Sequence, residues 1–285
     1  MIERILIVGT GLIGASIGLA LREAGYKGQI HGFDENLSEL ELALGDKVID
    51  DFAFGMEPTL ELARSVDVIV LAVPVLAVLD WMRRLAPVLG PRQLVTDVGS
   101  TKLKIAESAK RLFNTGTTAR FLPGHPMAGK ESGGASLAEA QLFREAMWLF
   151  TPVAESTGLE LQWREWVARF GCRTMDMDAA RHDVLCAWVS HLPQMLSTAL
   201  AALLEDEFGD AAEIAAIGGR ALRETTRLGA SPYSMWRDVA MTNTEPIADT
   251  LLALEQRLAH VRENLRTPEL RDEFALANKF RARRK

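Results

Sequence analysis

Hydrophobic and polar positions divide the chain into two parts with different patterns. In residues 1–176, short runs rich in β-branched residues alternate with amphipathic stretches, which is typical of a mostly parallel sheet covered by helices. The predicted strands are Arg4–Val8, Gln29–Phe33, Val68–Ala72, Leu94–Asp97, Trp148–Thr151 and Arg173–Met175. The predicted helices between them are Leu12–Glu23, Val75–Leu89, Lys102–Leu112 and Leu159–Phe170. The first part is therefore predicted to be an α/β domain with a doubly wound sheet.

Residues 177–285 show only helical patterns, beginning with an Ala/Leu-rich stretch from Ala179 to Asp206. In the last long helix of this part, Thr244 is the predicted N-cap and Pro246 lies in the first turn. An apolar seam follows at alternating spacings of four and three residues: Ile247, Leu251, Leu254, Leu258, Val261 and Leu265. Such a seam needs a cover, which either its own domain or a second subunit can supply. The pattern predicts an all-helical second domain that is a candidate for dimerisation.

Composition narrows the classes of function. A length of 285 residues is near twice the usual size of one domain, and 48% hydrophobic residues suffice for a sizeable core. Global disorder is therefore excluded. The net charge of −6 offers no basic field for a phosphate backbone, so no nucleic-acid partner is expected. We interpret the basic cluster Lys279–Lys285 as a solvated chain end.

Cysteine usage and apolar runs bear on location. Cys172 and Cys186 are too few for a disulfide framework and lack metal-ligand spacing, so we expect a cytoplasmic protein without a metal. The run Ile5–Leu21 is punctuated by glycines, and Val68–Leu79 is shorter than the roughly 20 residues of a membrane span. Neither run predicts export or a membrane partner. We also expect no further regulatory or fused domain at either end of this chain.

A glycine motif connects the first predicted strand with the first predicted helix. Gly9, Gly11 and Gly14 have the spacing G-x-G-x-x-G, in which the first glycine permits a tight turn and the second lets the backbone approach a pyrophosphate. The third allows the helix to pack closely on the sheet. Leu12 and Ile13 open the helix, where free N–H groups favour an anion. The motif predicts a Rossmann-type, dinucleotide-binding domain.

Other candidate residues follow the strands at the edge where a doubly wound sheet binds its ligand. Asp34 closes the second strand, 20 residues after the last glycine of the motif, where a carboxylate can bind ribose hydroxyls. Glu35 adds a charge that repels a 2′-phosphate, which favours NAD over NADP. Val73 and Pro74 follow the third strand, and Ser100 follows the fourth. These residues are predicted to face the cofactor or its nicotinamide end.

Two of the five histidines are candidates for chemistry. His125 lies in a Gly/Pro-rich segment that predicts a rigid loop, and constrained loops often carry function. His191 precedes Pro193, which must kink or interrupt the predicted long helix and release carbonyl groups nearby. We interpret His31, within a strand, and His260, on the exposed side of the terminal helix, as structural.

These motifs together resemble the prephenate/arogenate dehydrogenase family of tyrosine biosynthesis. The segments that carry the resemblance are Gly9–Gly14 with Asp34, Thr96–Lys102, Gly124–Gly129, Ser190–Pro193, Arg223–Arg227 and Met235–Asp238. They occur in order over nearly the whole chain, and His-Pro-Met-Ala-Gly and Ser-His-Leu-Pro are more specific than the glycine motif. The resemblance implies that hydride leaves a cyclohexadienyl ring for NAD while the ring carboxylate departs as CO₂. It also implies a homodimer formed through the C-terminal helices.

The resemblance gives four residues of this chain a role. It implies that His125 accepts the proton of the ring hydroxyl, for which the imidazole must be neutral. Ser100 would hydrogen-bond His125 and orient it near the nicotinamide and the substrate. Arg227 would bind a substrate carboxylate with its planar fork, and His191 would line the same pocket.

The sequence leaves alternatives open for the substrate and for the class of function. Prephenate and arogenate differ in a keto group against a charged amine, and Glu131 and Glu224 favour arogenate slightly because they are able to pair with the amine. A hydroxyacid dehydrogenase or imine reductase with the same domain plan is one rival class. A non-catalytic, NAD-responsive binding protein is another, although the joint presence of His125, Ser100 and Arg227 argues against it.

Overall fold

The first part of the chain is built on a six-stranded parallel sheet. A computed structural model describes residues 1–130 and 132–283 of the chain. The strands of this sheet are β1 (Arg4–Val8), β2 (Gln29–Phe33), β3 (Asp51–Phe52), β4 (Val68–Leu71), β5 (Leu94–Asp97) and β6 (Arg120–Leu122). They lie side by side in the order β3-β2-β1-β4-β5-β6, with parallel pairing throughout. Because the order reverses between β1 and β4, the carboxyl ends of these strands border a crevice.

Helices cover both faces of this sheet, as the predicted fold class requires. They are α1 (Leu12–Glu23), α2 (Leu37–Gly45), α3 (Met56–Ala63), α4 (Val75–Leu85), α5 (Leu103–Leu112) and α6 (Leu159–Arg169). Alternate residues of β1 enter two separate apolar clusters, because successive side chains of a strand point to opposite faces. Ile5 and Ile7 pack with α1, α2 and α6, whereas Leu6 and Val8 pack with α3, α4 and α5. The prediction of a doubly wound α/β domain is confirmed.

A second, three-stranded sheet departs from the prediction of a single sheet. Its strands are β7 (Gly124–Pro126), β8 (Met147–Phe150) and β9 (Arg173–Asp176), in the order β7-β8-β9. β7 is antiparallel to β8, and β8 is parallel to β9. His125 therefore lies on a strand, paired with Leu149, and not in the rigid loop that the Gly/Pro-rich segment predicts. The backbone pairing holds the imidazole in place more firmly than a loop would.

Several short elements were not predicted, and some ends differ. β3 has two residues, and β6 and β7 have three each, which is too few to show a period of two. α2 buries only Leu40 and Ala43 and exposes other leucines, so its apolar face is weak. The strand predicted to reach Ala72 ends at Leu71, and the helix predicted to reach Leu89 ends at Leu85.

The second part of the chain is helical, as predicted. Its helices are α7 (Ala179–Cys186), α8 (Leu192–Phe208), α9 (Ala212–Ile217), α10 (Arg220–Thr226), α11 (Tyr233–Thr242), α12 (Thr244–Glu263) and α13 (Glu269–Ala282). One π-helical turn, Ala187–His191, joins α7 to α8. Pro193 lies in the first turn of α8, where its missing N–H matters least. The predicted interruption beside His191 is thus a π turn, in which one extra residue changes the face of the helix that later side chains occupy.

The apolar seam of α12 is only partly covered in the single chain. Ile247 is buried, but Leu258 and Leu265 are 54% and 60% exposed. The N-cap of α12 is Asn243 and not the predicted Thr244, because the Thr244 hydroxyl donates a hydrogen bond back to the carbonyl of Ala240. Packing within the domain therefore buries the start of the seam and leaves its later residues half-buried or exposed.

Over the part of the chain that the structure describes, the stretch Ala179–Phe208 is apolar and long enough to cross a membrane by length and composition alone. It contains His182, Asp183 and His191, which are buried and hydrogen-bonded to other residues of the protein. These contacts are those of a helix within a folded domain.

Two carboxylates of the helical part cap helices of the sheet part. Asp183 on α7 accepts hydrogen bonds from the backbone N–H groups of Lys102 (2.7 Å) and Leu103 (2.9 Å) at the start of α5. Asp238 on α11 accepts one from Leu76 (3.1 Å) at the start of α4. Neither helix has a side-chain cap from its own N-cap residue. Because a negative charge is favourable at a helix N-terminus, these caps hold the two parts together beside the crevice.

We expect Asp238→Ala to lower the free energy of unfolding by about 1–2 kcal/mol, because the first turn of α4 loses its acceptor. Asp238→Asn keeps an oxygen acceptor and should lose less. Urea unfolding of both variants measures the difference. Equal losses in the two variants would mean that the cap contributes nothing.

Candidate active site

The three glycines of the turn between β1 and α1 have different surroundings. Gly9 has φ +93°, in the left-handed region, and a methyl group placed on it would lie 2.4 Å from the carbonyl oxygen of Ala72. A methyl group on Gly14 would lie 1.9 Å from the carbonyl oxygen of Gly9. At Gly11 such a group meets nothing within 4 Å. Gly9 and Gly14 are therefore required by the turn itself, whereas Gly11 leaves the start of α1 open to approach.

The other candidate cofactor residues lie beside this turn. Asp34, at the end of β2, accepts hydrogen bonds from the backbone N–H groups of Thr10 (2.8 Å) and Asn36 (2.9 Å). Val73 lies against the turn, with its Cγ1 2.8 Å from where a methyl group on Gly9 would be. Pro74 follows as the N-cap of α4. Leu12 and Ile13 form the first turn of α1, which has no side-chain cap. The carboxyl ends of β1, β2 and β4 thus bring the predicted set together.

Three buried polar side chains form a chain of hydrogen bonds from β7 to α7. His125 Nδ1 lies 2.9 Å from His182 Nε2, and His182 Nδ1 lies 2.8 Å from Asp183 Oδ1. His125 is 7% exposed and His182 is fully buried. Gly124 donates its N–H to Asp97 Oδ1 at the end of β5, which places His125 at the carboxyl edge of the main sheet. The sequence motifs give His182 no role.

A sequence signal for His182 exists, but it requires knowledge of the π turn. His182 and Cys186 are four residues apart, and His191 follows after five. In a regular α-helix the last spacing moves His191 off the shared face. The π turn Ala187–His191 adds one residue, so that a spacing of five returns to that face. Sequence patterns alone do not show where such a turn lies.

The environment of His125 keeps its imidazole neutral. Burial lowers the pKa of His125 well below its ordinary value, because it disfavours the charged ring. The neighbouring His182, Lys102 and His191 lower this pKa further. A histidine that is neutral at pH 7 can accept a proton, so the chemistry that the resemblance implies for His125 is available here.

His191 is a neutral hydrogen-bond donor. Burial lowers its pKa to about 4, opposed by the charge of Asp183 and assisted by His182. The side-chain amide of Asn243 donates to the carbonyl oxygen of Asp183 (2.9 Å) and lies 3.1 Å from His191 Nδ1. Because an amide nitrogen has two hydrogens and no lone pair to accept with, Nδ1 must be the acceptor. The ring proton therefore lies on Nε2, which is buried without a partner among the described residues.

A second buried donor lies near His191. The indole Nε1 of Trp236 is buried and has no partner in the described part of the chain. The two rings meet edge to face, with centroids 5.9 Å apart. Leaving a buried donor unsatisfied costs about 1–3 kcal/mol, so each of these two donors would be stabilised by an acceptor oxygen.

A fully buried ion pair lies next to this cluster. Lys102 Nζ contacts Asp97 Oδ2, and Asp97 also accepts from the backbone N–H groups of Gly99 (2.8 Å) and Gly124 (3.2 Å). Burial raises the pKa of Asp97 and lowers that of Lys102, while their contact opposes both shifts. The pair fixes the segment after β5 to the strand that carries His125.

The structure places the remaining predicted residues less centrally. Ser100 is half-buried after β5, but in the described residues its side chain makes no hydrogen bond to His125; His182 takes that place. Arg227 is exposed on a 3₁₀ turn after α10. Glu224 is exposed and pairs with Arg220 at 2.6 Å, and Glu131 lies outside the described residues.

His125, His182 and Cys186 also offer metal-ligand atoms within 4.8 Å of one another. Two physical features disfavour a metal at this position. The nitrogen atoms 2.9 Å apart share a hydrogen bond, which an ion would have to break. Burial raises the pKa of the Cys186 thiol to about 12, whereas a metal binds the thiolate.

The fold and the site together define a two-domain, nucleotide-binding oxidoreductase with a buried histidine at the cofactor edge. Family models described as "Prephenate dehydrogenase, nucleotide-binding domain" and "Prephenate dehydrogenase, dimerization domain" match residues 17–173 and 178–280. The chain belongs to the prephenate dehydrogenase family. The resemblance seen in the sequence motifs is confirmed.

Individual relatives agree with this assignment. The chain is 31% identical to the prephenate dehydrogenase of Lactococcus lactis over 98% of this chain and 75% of that protein. It is similar to the crystal structure of prephenate dehydrogenase from A. aeolicus in complex with hydroxyphenyl propionate and NAD⁺, with 26% identity, a TM-score of 0.90 and coverage of 100% and 99% of the two chains. It is also similar to the crystal structure of Synechocystis arogenate dehydrogenase, with 30% identity, a TM-score of 0.78 and coverage of 99% of this chain and 100% of that chain.

The lowered pKa of His191 predicts a loss of stability in acid. The unfolded chain binds a proton at this histidine below about pH 6.5, but the folded chain does so only below about pH 4, so stability falls as pH drops between these values. We expect His191→Gln to remove about 2 kcal/mol of the stability difference between about pH 7 and pH 5. Urea unfolding at both pH values measures it. The exposed His260→Gln is the control, and an unchanged difference in His191→Gln would contradict the assignment.

Proposed function

We propose that this protein catalyses the NAD-dependent oxidative decarboxylation of a cyclohexadienyl substrate, prephenate or arogenate. The product is 4-hydroxyphenylpyruvate from prephenate and tyrosine from arogenate. Hydride leaves the ring carbon that bears the hydroxyl while the hydroxyl proton passes to a base. The ring carboxylate departs as CO₂ and leaves its electron pair to the ring, whose oxygen takes the proton back to give the phenol. Aromatisation of the ring drives the reaction. The observation that carries the proposal is the buried, neutral His125 at the carboxyl edge of the parallel sheet.

His125 is the proposed base. Its low pKa keeps the imidazole unprotonated at pH 7, so that it can take the proton of the ring hydroxyl as hydride leaves. The hydrogen bond to His182 fixes the direction of the ring. Ser100 is half-buried after β5, and we keep it as a candidate contact for the substrate hydroxyl.

The glycine turn fits NAD. Gly11 leaves room for a pyrophosphate at the uncapped start of α1, and the carboxylate of Asp34 lies at the end of β2 beside it. NAD, when bound, supplies the carbon that accepts the hydride. The residues that would hold it are Gly9, Gly11, Leu12, Ile13, Gly14, Asp34, Val73 and Pro74.

The substrate's anionic groups are proposed to meet the helical part. Arg227 would bind a carboxylate through its guanidinium. The turn that carries it is held to α8, because Gln194 donates to the carbonyl of Leu228 (2.6 Å) and Gly229 donates to the Ser197 hydroxyl (3.0 Å). His191 begins the same helix as its N-cap, and its unpaired Nε2–H suits an acceptor oxygen of the substrate side chain.

A homodimer is proposed to form through the helical part. The seam residues of α12 beyond Ile247 are partly or largely exposed in one chain, and the matching family model is described as a dimerization domain. A second copy of the chain would cover this surface. The boundary near residue 176 and the cytoplasmic location stay predictions from the sequence.

Two glycine variants distinguish the stability of the turn from its binding of NAD. We expect Gly14→Ala to lower the free energy of unfolding by about 1–3 kcal/mol, because the added methyl group meets the carbonyl of Gly9. Gly11→Ala should leave the melting temperature unchanged and weaken NAD binding by about ten-fold or more, because the open space is where the pyrophosphate approaches. Thermal unfolding and calorimetric titration measure the two effects. Full NAD affinity in Gly11→Ala would refute the proposed pyrophosphate position.

The function is tested by supplying prephenate and arogenate separately, each with NAD. We expect NADH and CO₂ in equal amounts from at least one of them, and His125→Asn should lower kcat by about 10²–10⁴-fold. His31→Asn, on β2, serves as the control and should retain activity. NADH formed only from a simple β-hydroxy acid, or full activity of His125→Asn, would support a rival class instead.

A further inference from the structure

Beside the proposed base lie two residues to which the proposed function gives no part in setting where the imidazole carries its proton. His182 and Asp183 are adjacent on α7 and are both buried. They continue the line of hydrogen bonds that begins at His125. We propose that Asp183 and His182 are positioning residues that hold His125 in the tautomer with its proton on Nδ1 and a free lone pair on Nε2. The inference rests on the proposed function of His125 as the base.

Asp183 decides which group donates and which accepts in this line of hydrogen bonds. Its Oδ1 accepts from the backbone N–H of Lys102 and its Oδ2 from that of Leu103, at the start of α5. These two donors and the helix N-terminus favour the ionised carboxylate, which accepts hydrogen bonds and donates none. His182 Nδ1, 2.8 Å from Oδ1, must therefore carry a hydrogen and donate it.

The tautomer of His182 then decides that of His125. With its proton on Nδ1, a neutral His182 has only a lone pair on Nε2. His125 Nδ1 lies 2.9 Å from this lone pair and must donate. The protonated thiol of Cys186, 3.5 Å from the same Nε2, is a further donor suited to an acceptor there. In the opposite tautomer of His125, two lone pairs would face each other at hydrogen-bond distance.

This arrangement matters at the step in which the base works. The proton of the substrate hydroxyl moves to His125 Nε2, and the ring becomes an imidazolium. Its Nδ1–H then donates a charge-assisted hydrogen bond to His182, which is itself held by the carboxylate of Asp183. Without this acceptor, a share of the enzyme would carry the proton on Nε2 and could not accept another. The expected effect is on kcat more than on KM.

Two variants of His182 differ in whether the side chain offers His125 a hydrogen-bond acceptor. His182→Gln places an amide oxygen near the former Nε2 and keeps an acceptor for His125. His182→Leu has no acceptor. Both variants lose the imidazole and its contact with Asp183, so they share the structural loss. We expect His182→Leu to have a kcat about 10- to 100-fold below that of His182→Gln, with KM values for the substrate within about three-fold of each other.

The tautomer is read directly by proton–nitrogen NMR of protein labelled with ¹⁵N-histidine. In the wild-type protein with NAD, the His125 signal, assigned by its loss in His125→Asn, should show a protonated Nδ1 and an unprotonated Nε2. His182→Gln should keep this signature, and His182→Leu should shift it towards a protonated Nε2. Thermal unfolding shows whether the variants are folded; if His182→Leu is not, the wild-type and His182→Gln spectra decide.

A wild-type His125 protonated on Nε2 would overturn the inference. So would equal kcat values in folded His182→Leu and His182→Gln, or loss of the signature in His182→Gln. The wild-type spectrum needs no substrate. If neither cyclohexadienyl compound is turned over but the Nδ1 proton is found, the proposed function fails while the assigned tautomer stands.

Discussion

The arrangement of the two parts of the chain and the geometry of the site both depend on the hydrogen bonds that the Asp183 carboxylate accepts. It accepts two backbone N–H groups at the start of α5 and the ring N–H of its neighbour His182. A buried charge is costly unless it is paired or well hydrogen-bonded, and here the helix N-terminus stabilises it. The same residue reaches His191 through its backbone, because its carbonyl oxygen orients Asn243. Asp183 thus connects the sheet part with His125, through His182, and with His191, through Asn243.

Lys102 links this contact to the other buried charges. Its backbone N–H binds Asp183, while its ammonium group contacts Asp97 on β5. Asp97 in turn holds Gly124, the residue before His125. His125 is therefore fixed from two sides, by its strand and by α7. The positive charge of Lys102 also lowers the pKa of His125, so the ion pair that positions His125 helps to keep its ring neutral.

How far the sequence predicts this structure depends on the range of the interactions. The glycine motif and the strands β1, β2 and β5 follow from local spacing and were predicted with the bounds that the structure shows. β6 and β7 were missed because three residues show no period. His125 was found from its segment, although the segment is a strand. His182 and Asn243 were missed because their roles come from contacts 57 and 52 residues away in sequence.

The lack of a hydrogen bond between Ser100 and His125 among the described residues has the same cause. A local motif places Ser100 near the end of β5, but which side chain reaches His125 Nδ1 depends on how α7 packs against that edge. The caps of α4 and α5 are equally non-local, since their acceptors come from α11 and α7. Sequence patterns identify residues able to do chemistry, whereas the packing of the two parts decides which of them meet.

Several helices of the helical part are poorly buried in a single chain. Among the described residues, α10 and α13 have no fully buried member, and the apolar seam on α12 is half-buried or exposed beyond Ile247. Short helices gain most of their stability from tertiary packing, so a cover is required for them to be well ordered. Arg227 directly follows α10. Since the proposed base lies on the well-packed side and the proposed anion-binding residue on the exposed side, the proposed dimerisation would act on substrate binding more than on proton transfer.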